Sequence, residues 1–156
     1  MKKTSNSPVN LDVDFSVPQR HRIRFTNDLA GRDFEVLTDL MVANDDRLPP
    51  PKVLLIIDQG VAETIPAQQI VSRLSSSKQI TLMNCGSASL NQSSSGSPEA
   101  AERSPACFMM GGEISKNDTD AIKKILGLIN LFELDRRSYI VVVGGGALLD
   151  LSLIHI

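Results

Sequence analysis

Lys52-Val53-Leu54-Leu55-Ile56-Ile57-Asp58 constrains this chain more than any other stretch: a continuous run of β-favouring apolar residues closed off by a carboxylate. A strand with one wet face alternates apolar and polar side chains. This run has no polar face, so both of its sides must be covered, which is the condition of a parallel sheet packed between helices. Ser138-Tyr139-Ile140-Val141-Val142-Val143 repeats the pattern and gives way to Gly144-Gly145-Gly146, while the shorter Ala106-Cys107-Phe108-Met109-Met110 runs into Gly111-Gly112-Glu113. Strands that end this way predict an α/β fold: a Rossmann-like open parallel sheet with flanking helices, whose ligands gather outside the strands' carboxyl ends.

The residues between these runs supply the connections. Phe34, Leu37, Leu40 and Met41 recur at helical spacing behind Asp33, which is placed to cap them, and Leu48-Pro49-Pro50-Pro51 forbids further helix. Ile65 to Leu74 predicts a second helix with Pro66 in its first turn. Gln79-Ile80-Thr81-Leu82-Met83 is the strand after it, completing a βαβ unit of right-handed crossover. Asn117 or Asp118 can cap a third helix in which Ile122, Ile125, Leu126, Ile129 and Phe132 share one apolar stripe, read as core. His21-Arg22-Ile23-Arg24-Phe25-Thr26 alternates polar and apolar and predicts an edge strand with one face in solvent. Residues 86–104 turn to Ser, Gly, Asn, Gln and Pro and are read as a long mobile loop with no assigned function.

Charge and length exclude several classes. The formal net charge is −2, so no global positive field gathers phosphate polymers and nucleic acid is not expected as a partner. Residues 1–16 form a polar leader whose Lys2 and Lys3 are followed by no apolar stretch of the kind a secretory signal needs. No apolar run approaches the roughly 20 residues that cross a bilayer, so the expectation is a soluble, cytoplasmic protein without membrane contact. Cys85 and Cys107 have no His or second Cys beside them, which supports neither a zinc site nor a disulfide framework; they are read as small buried hydrophobes.

Chemistry is expected at the strand ends. Glycines let a backbone approach a pyrophosphate without an intervening Cβ, and a following helix presents free N–H donors and a partial positive charge. Gly144-Gly145-Gly146-Ala147-Leu148-Leu149-Asp150 has the order strand, glycine turn, helix start, although it lacks the later glycine of the usual dinucleotide fingerprint. Asp58 and Glu113 suit ribose hydroxyls, and Lys116 suits phosphate. Each charge alone is also what a solvated loop end looks like, and a glycine turn can be purely structural. Recurrence at successive strand ends favours a ligand.

Gly112-Glu113-x-x-Lys116 followed by Gly144-Gly145-Gly146-x-x-x-Asp150 resembles the paired signature of 3-dehydroquinate synthase and its sugar-phosphate cyclase relatives. Gly111-Gly112-Glu113-Ile114-Ser115-Lys116-Asn117-Asp118 and Asp135-Arg136-Arg137-Ser138-Tyr139 are most similar to the EboD-like branch. The likeness spans residues 17–150 apart from the Ser-rich loop, and makes them an NAD-binding domain. It implies that Asp58, Gly60, Val61, Glu113, Lys116, Gly144, Gly145, Gly146, Ala147 and Asp150 line the NAD site. Gly60 departs from the family, which often has Asn at that position.

The resemblance further implies a carbon–oxygen lyase. Bound NAD transiently oxidises a substrate alcohol, phosphate is expelled, the hydride returns and the ring closes. A divalent metal, zinc or cobalt, is expected only in a helical second domain, whose Glu and His ligands and substrate-phosphate residues this chain lacks, so the fragment itself is expected to be inactive. A small sugar phosphate as substrate and a homodimer are implied as partners. Two other readings stay open: a relative of iron-containing alcohol or glycerol dehydrogenases, and a noncatalytic nucleotide-binding module. Leu151-Ser152-Leu153-Ile154-His155-Ile156 is what the end sequence of a transposon adapter used in sequencing libraries encodes, so residues 151–156 are read as adapter-derived and His155 is not taken as a ligand.

Overall fold

The computed structural model describes residues 22–41, 48–87, 105–112 and 119–154. The elements, in chain order, are α1 Glu35–Met41, β1 Lys52–Asp58, α2 Ile65–Ser76, β2 Thr81–Leu82, a 3-10 turn Cys85–Ser87, β3 Ala106–Met109, α3 Thr119–Leu131, β4 Tyr139–Val143 and α4 Gly146–Ile154. The architecture is α/β: an open sheet of parallel strands with flanking helices.

β1 is the centre of the sheet and pairs in parallel with β2, β3 and β4. A strand has only two edges, and the register assigns them. Leu55, Ile56 and Ile57 each pair both with β3 (Ala106, Cys107, Phe108) and with β4 (Val141, Val142, Val143), so β3 and β4 flank β1 on opposite sides. Val53 pairs with Leu82 and with Tyr139, which puts β2 opposite β4 as well. β2 and β3 therefore share one edge of β1, end to end. The sequence reads them as separate strands; they are two halves of one lane, which the chain leaves after β2 and re-enters at Ala106.

Both faces of β1 are covered, as its composition demands. Val53, Leu55 and Ile57 pack with Ala30, Phe34 and Met41 and with Ala67, Ile70 and Leu74 of α2. Leu54 and Ile56 face the other way, against Ala121, Ile125 and Leu128 of α3 and Leu148 of α4. All five strand residues are fully buried, each worth about 1.5–3 kcal/mol of transfer free energy.

The helix boundaries follow local chemistry. Thr64 caps α2, its side chain accepting from the Ala67 N–H, with Pro66 in the first turn where its missing N–H costs nothing. Asp33 does not cap α1. Its Oδ2 turns back to accept from Asn27 N and Asp28 N of the preceding turn, both at 3.1 Å. Three cations fasten loops to carbonyls: Lys52 Nζ donates to Phe132 O and Glu133 O, Arg137 to Pro49 O, and Arg73 to Ala30 O and Gly31 O while lying over the Phe34 ring.

Two further expectations need correction. Arg22–Thr26 is not a strand, and Phe25 is 96% exposed; a period-2 pattern makes a strand only where a sheet edge accepts its apolar face, and none is paired there among the described residues. Leu126 points outward rather than into the stripe, and Leu128 and Ala121 take the buried positions of α3 beside Ile125. Of the expected loop at 86–104, only residues 86 and 87 are described, within the 3-10 turn. His21, Asn117 and Asp118 also lie outside the described residues.

Candidate functional site

Asp58 is the hub at the carboxyl ends of the strands. It ends β1, is partly buried, and its Oδ1 accepts from the Gly60 N–H at 2.8 Å, closing a tight turn. The same turn is completed by Val61 N donating to Asp58 O at 3.0 Å and by Gln59 N donating to Met109 O at 2.9 Å, which ties it to β3. Val61 then packs against the core, while Gly60 stays exposed. Asp58 Oδ2 accepts no hydrogen bond from the described residues.

Glycines from the two neighbouring strands close on this side chain. A Cβ at Gly111, two residues past β3, would collide with the Asp58 carboxylate, whose Oδ1 is 2.6 Å from that point. A Cβ at Gly144, next after β4, would lie 2.8 Å from Asp58 Cβ and 3.1 Å from Leu148 Cδ2. Real Cβ contacts are not that short, so a side chain at Gly144 would push the ends of β1 and β4 apart, and one at Gly111 would displace the Asp58 carboxylate. Gly112, with φ +86°, is glycine for a different reason: it turns the chain through the left-handed region.

Gly145 and Gly146 differ from all of these. Among the described residues nothing lies within 4 Å of an added Cβ at either position, and neither has a positive φ. No packing contact of the described residues calls for glycine there. α4 begins at Gly146, and its first internal bonds run from Leu148 N and Leu149 N to Gly145 O. The Gly146 and Ala147 N–H groups precede them and, by helix geometry, have no partner within the helix. The result is a glycine turn at the positive end of a helix, next to the Asp58 carboxylate. Asp150, exposed, stands one turn further along the face that Gly146 begins.

Of the residues expected from sequence, the structure thus brings Asp58, Gly60 and Gly144 into contact and sets Val61 and Gly145 on the two loops around them, with Gly146, Ala147 and Asp150 in the first turns of α4. Glu113 and Lys116 lie outside the described residues. Among the described residues no three His, Cys, Asp or Glu side chains gather as a metal ion would need, and no helix is long and apolar enough to cross a membrane. Compared with known proteins, the chain matches no family model, no curated protein and no solved structure. Its own geometry has to carry the reading.

Sequence reasoning missed two things. Gly111, two residues before Glu113, is the surface on which the Asp58 carboxylate rests. Cys85 and Cys107, dismissed as unrelated, are neighbours. Gly111 is found from the pairing of Asp58 with Met109, and the cysteines from the lane that β2 and β3 share.

Proposed function

We propose that this chain is the NAD-binding part of a 3-dehydroquinate synthase-like sugar-phosphate cyclase, closest to the EboD-like branch, with a Rossmann-like domain that works beside a helical metal-binding domain. The observation that carries the reading is the pair Gly145 and Gly146, which no packing contact of the described residues requires to be glycine, at the start of a helix whose first N–H groups have no partner within the helix. A pyrophosphate lying against that backbone gives the missing reason, since a Cβ at either position would occupy its place.

In this reading each residue of the chain has a binding role. Gly146 and Ala147 N–H donate to pyrophosphate oxygens. Asp58, with Oδ1 held by Gly60 N, offers Oδ2 to a ribose hydroxyl. Glu113 and Lys116 supply a second acceptor and a counter-charge, and Asp150 and the Gly60-Val61 turn border the cofactor. When bound, NAD supplies a hydride acceptor for a substrate alcohol; the chain's own residues only hold and orient it. The zinc or cobalt ion and the contacts to the sugar phosphate come from the helical domain, in a cytoplasmic homodimer. The chain alone is then inactive and binds NAD weakly, because half of the cleft is contributed by the other domain.

A technique sensitive to weak binding tests this. In 15N-labelled chain, millimolar NAD is expected to shift the amides of Gly60, Gly145, Gly146 and Ala147, and Gly145→Val to abolish those shifts. Unmoved glycine-loop amides at saturating NAD would overturn the reading. Release of phosphate from a seven-carbon keto-sugar acid phosphate by the two-domain protein, without net NADH, separates cyclase from dehydrogenase.

A further inference from the structure

The interrupted lane of the sheet brings two cysteines together. β2 pairs Leu82 with Val53; continued without a break, that register would put Cys85 opposite Ile56. Cys107 of β3 holds that place instead. Cys85 is turned out of the lane into the 3-10 turn Cys85–Ser87 and packs against the same cluster as Cys107, with Leu54, Ile56 and Ile125. The two side chains are thus neighbours in one cluster, and both cysteines are free; Cys107 is buried and Cys85 half-buried.

The pair is chemically unequal. The hydrogen bond from Cys85 holds the Cys107 thiol down, to about 7; burial works against this, and the Lys124 ammonium charge adds to it. Lys124 Nζ also donates to Phe108 O, next along the strand, at 3.4 Å. Cys85, as the donor, is pushed up by the same bond and by burial. A sulfur stabilised as thiolate beside a protonated thiol is the arrangement in which the first is oxidised and the second resolves the product.

We propose that Cys85 and Cys107 form a reversible redox pair, oxidised by a small peroxide to a disulfide that ties the 3-10 turn after β2 to β3. The Cys107 thiolate attacks one oxygen of hydrogen peroxide. The O–O bond breaks, leaving Cys107 sulfenic acid and hydroxide. Cys85 sulfur then attacks the sulfenic sulfur, the S–O bond breaks, and the Cys85 proton is taken up as the second water forms. In sum, two thiols and one peroxide give one disulfide and two waters; sulfur is oxidised and peroxide oxygen reduced. A dithiol reverses it by exchange. Hydrogen peroxide is small and uncharged, which suits a buried target. The site is independent of the NAD reading, although β3 runs from Cys107 to Gly111 beside Asp58.

Peroxide treatment of the full chain tests the pair. About one equivalent is expected to lower the titratable thiols from two per chain to none and to remove two hydrogens from the intact mass. It should also yield a linked peptide containing Cys85 and Cys107, and dithiothreitol should restore both thiols. Cys85→Ser is expected to accumulate a sulfenic acid on Cys107 that dimedone traps, and Cys107→Ser to slow peroxide consumption by about tenfold or more, since the stabilised thiolate is gone. Wild-type peptide maps with Cys85 and Cys107 unlinked after peroxide, or linked only between chains, would overturn the proposal whether or not either variant folds.

Discussion

The Cβ of Asp58 stands 2.8 Å from the point at which a side chain on Gly144 would begin, so the end of β1 and the end of β4 can approach only because one of them has no side chain. That contact separates the first glycine of the triple from the other two. Gly144 serves the fold, whereas Gly145 and Gly146 have room to spare.

Alanine scanning of the triple should therefore split. Gly144→Ala drives a Cβ into Asp58 Cβ, fixed to its backbone, and against the buried Leu148 Cδ2, and is expected to cost about 1–3 kcal/mol. Gly146→Ala, at the start of α4 and in open space, is expected to be neutral or stabilising by up to about 1 kcal/mol. Gly145→Ala should be near neutral. Urea midpoints measure the stability side, and NAD-induced amide shifts the binding side. Equal destabilisation by all three substitutions would contradict the split.

Lys52 predicts a second, distant effect. Its ammonium donates to Phe132 O at 2.8 Å and Glu133 O at 3.0 Å, joining the start of β1 to the carbonyl end of α3. Hydrogen bonds to a charged group contribute about 1.5–3 kcal/mol, and partial exposure of Lys52 favours the lower end. Lys52→Met keeps the aliphatic stem and should lower the urea midpoint by that amount without altering the slope. An unchanged midpoint would mean that water replaces the ammonium at no cost.

The α/β class and the buried strands were legible because continuous apolar runs carry their own environment: β1 matches its predicted bounds, and α2 and β4 begin where Pro66 and Ser138 put them. The Asp58 and Gly144-Gly145-Gly146 loops were legible for a related reason, since strand-to-glycine junctions are local signals. The lane shared by β2 and β3 was not. Register is a relation between strands, and β2 has only two paired residues, too short for its sequence to say which edge of β1 it takes. The pairing of Cys85 with Cys107 was hidden behind the same relation. Arg22–Thr26 failed in the opposite direction: its alternation is genuine, but a strand also needs a neighbour.

Asp135 gives a pH dependence whose sign can be worked out. Its Oδ1 accepts from Ser138 Oγ at 2.8 Å and from Arg137 N at 2.9 Å, and the Ser138 hydroxyl, followed by the Arg137 amide, holds the carboxyl below its ordinary value of 3.8. A depressed acid stabilises the turn above the ordinary value, and the stabilisation is lost as pH falls through the lowered one. Protection of the Arg137 amide, its exchange rate relative to the intrinsic rate at the same pH, should therefore persist to below the ordinary Asp range and then fall, and Asp135→Ala should remove it at every pH. A carboxyl shift of Asp135 that titrates at or above the ordinary value would refute the assignment.

Glu133 provides the sharpest stability test. It ends α3 with φ 49°, the left-handed conformation that helices commonly assign to glycine at this place. The surrounding bonds are those of a completed helix stop: Leu134 N donates to Ile129 O at 3.0 Å and Glu133 N to Asn130 O at 3.1 Å. A side chain in that conformation costs about 1–2 kcal/mol, and part of the gain on removing it is offset by the greater backbone freedom of unfolded glycine. Lys52 holds the backbone carbonyl of Glu133 and not its carboxylate, so truncating the side chain leaves that anchor in place. Glu133→Gly is expected to stabilise the chain by about 0.5–1 kcal/mol, read as a higher urea midpoint, while Glu133→Val, stiff at Cβ, should destabilise it. A stabilising valine would show that the helix stop is not held in the left-handed region.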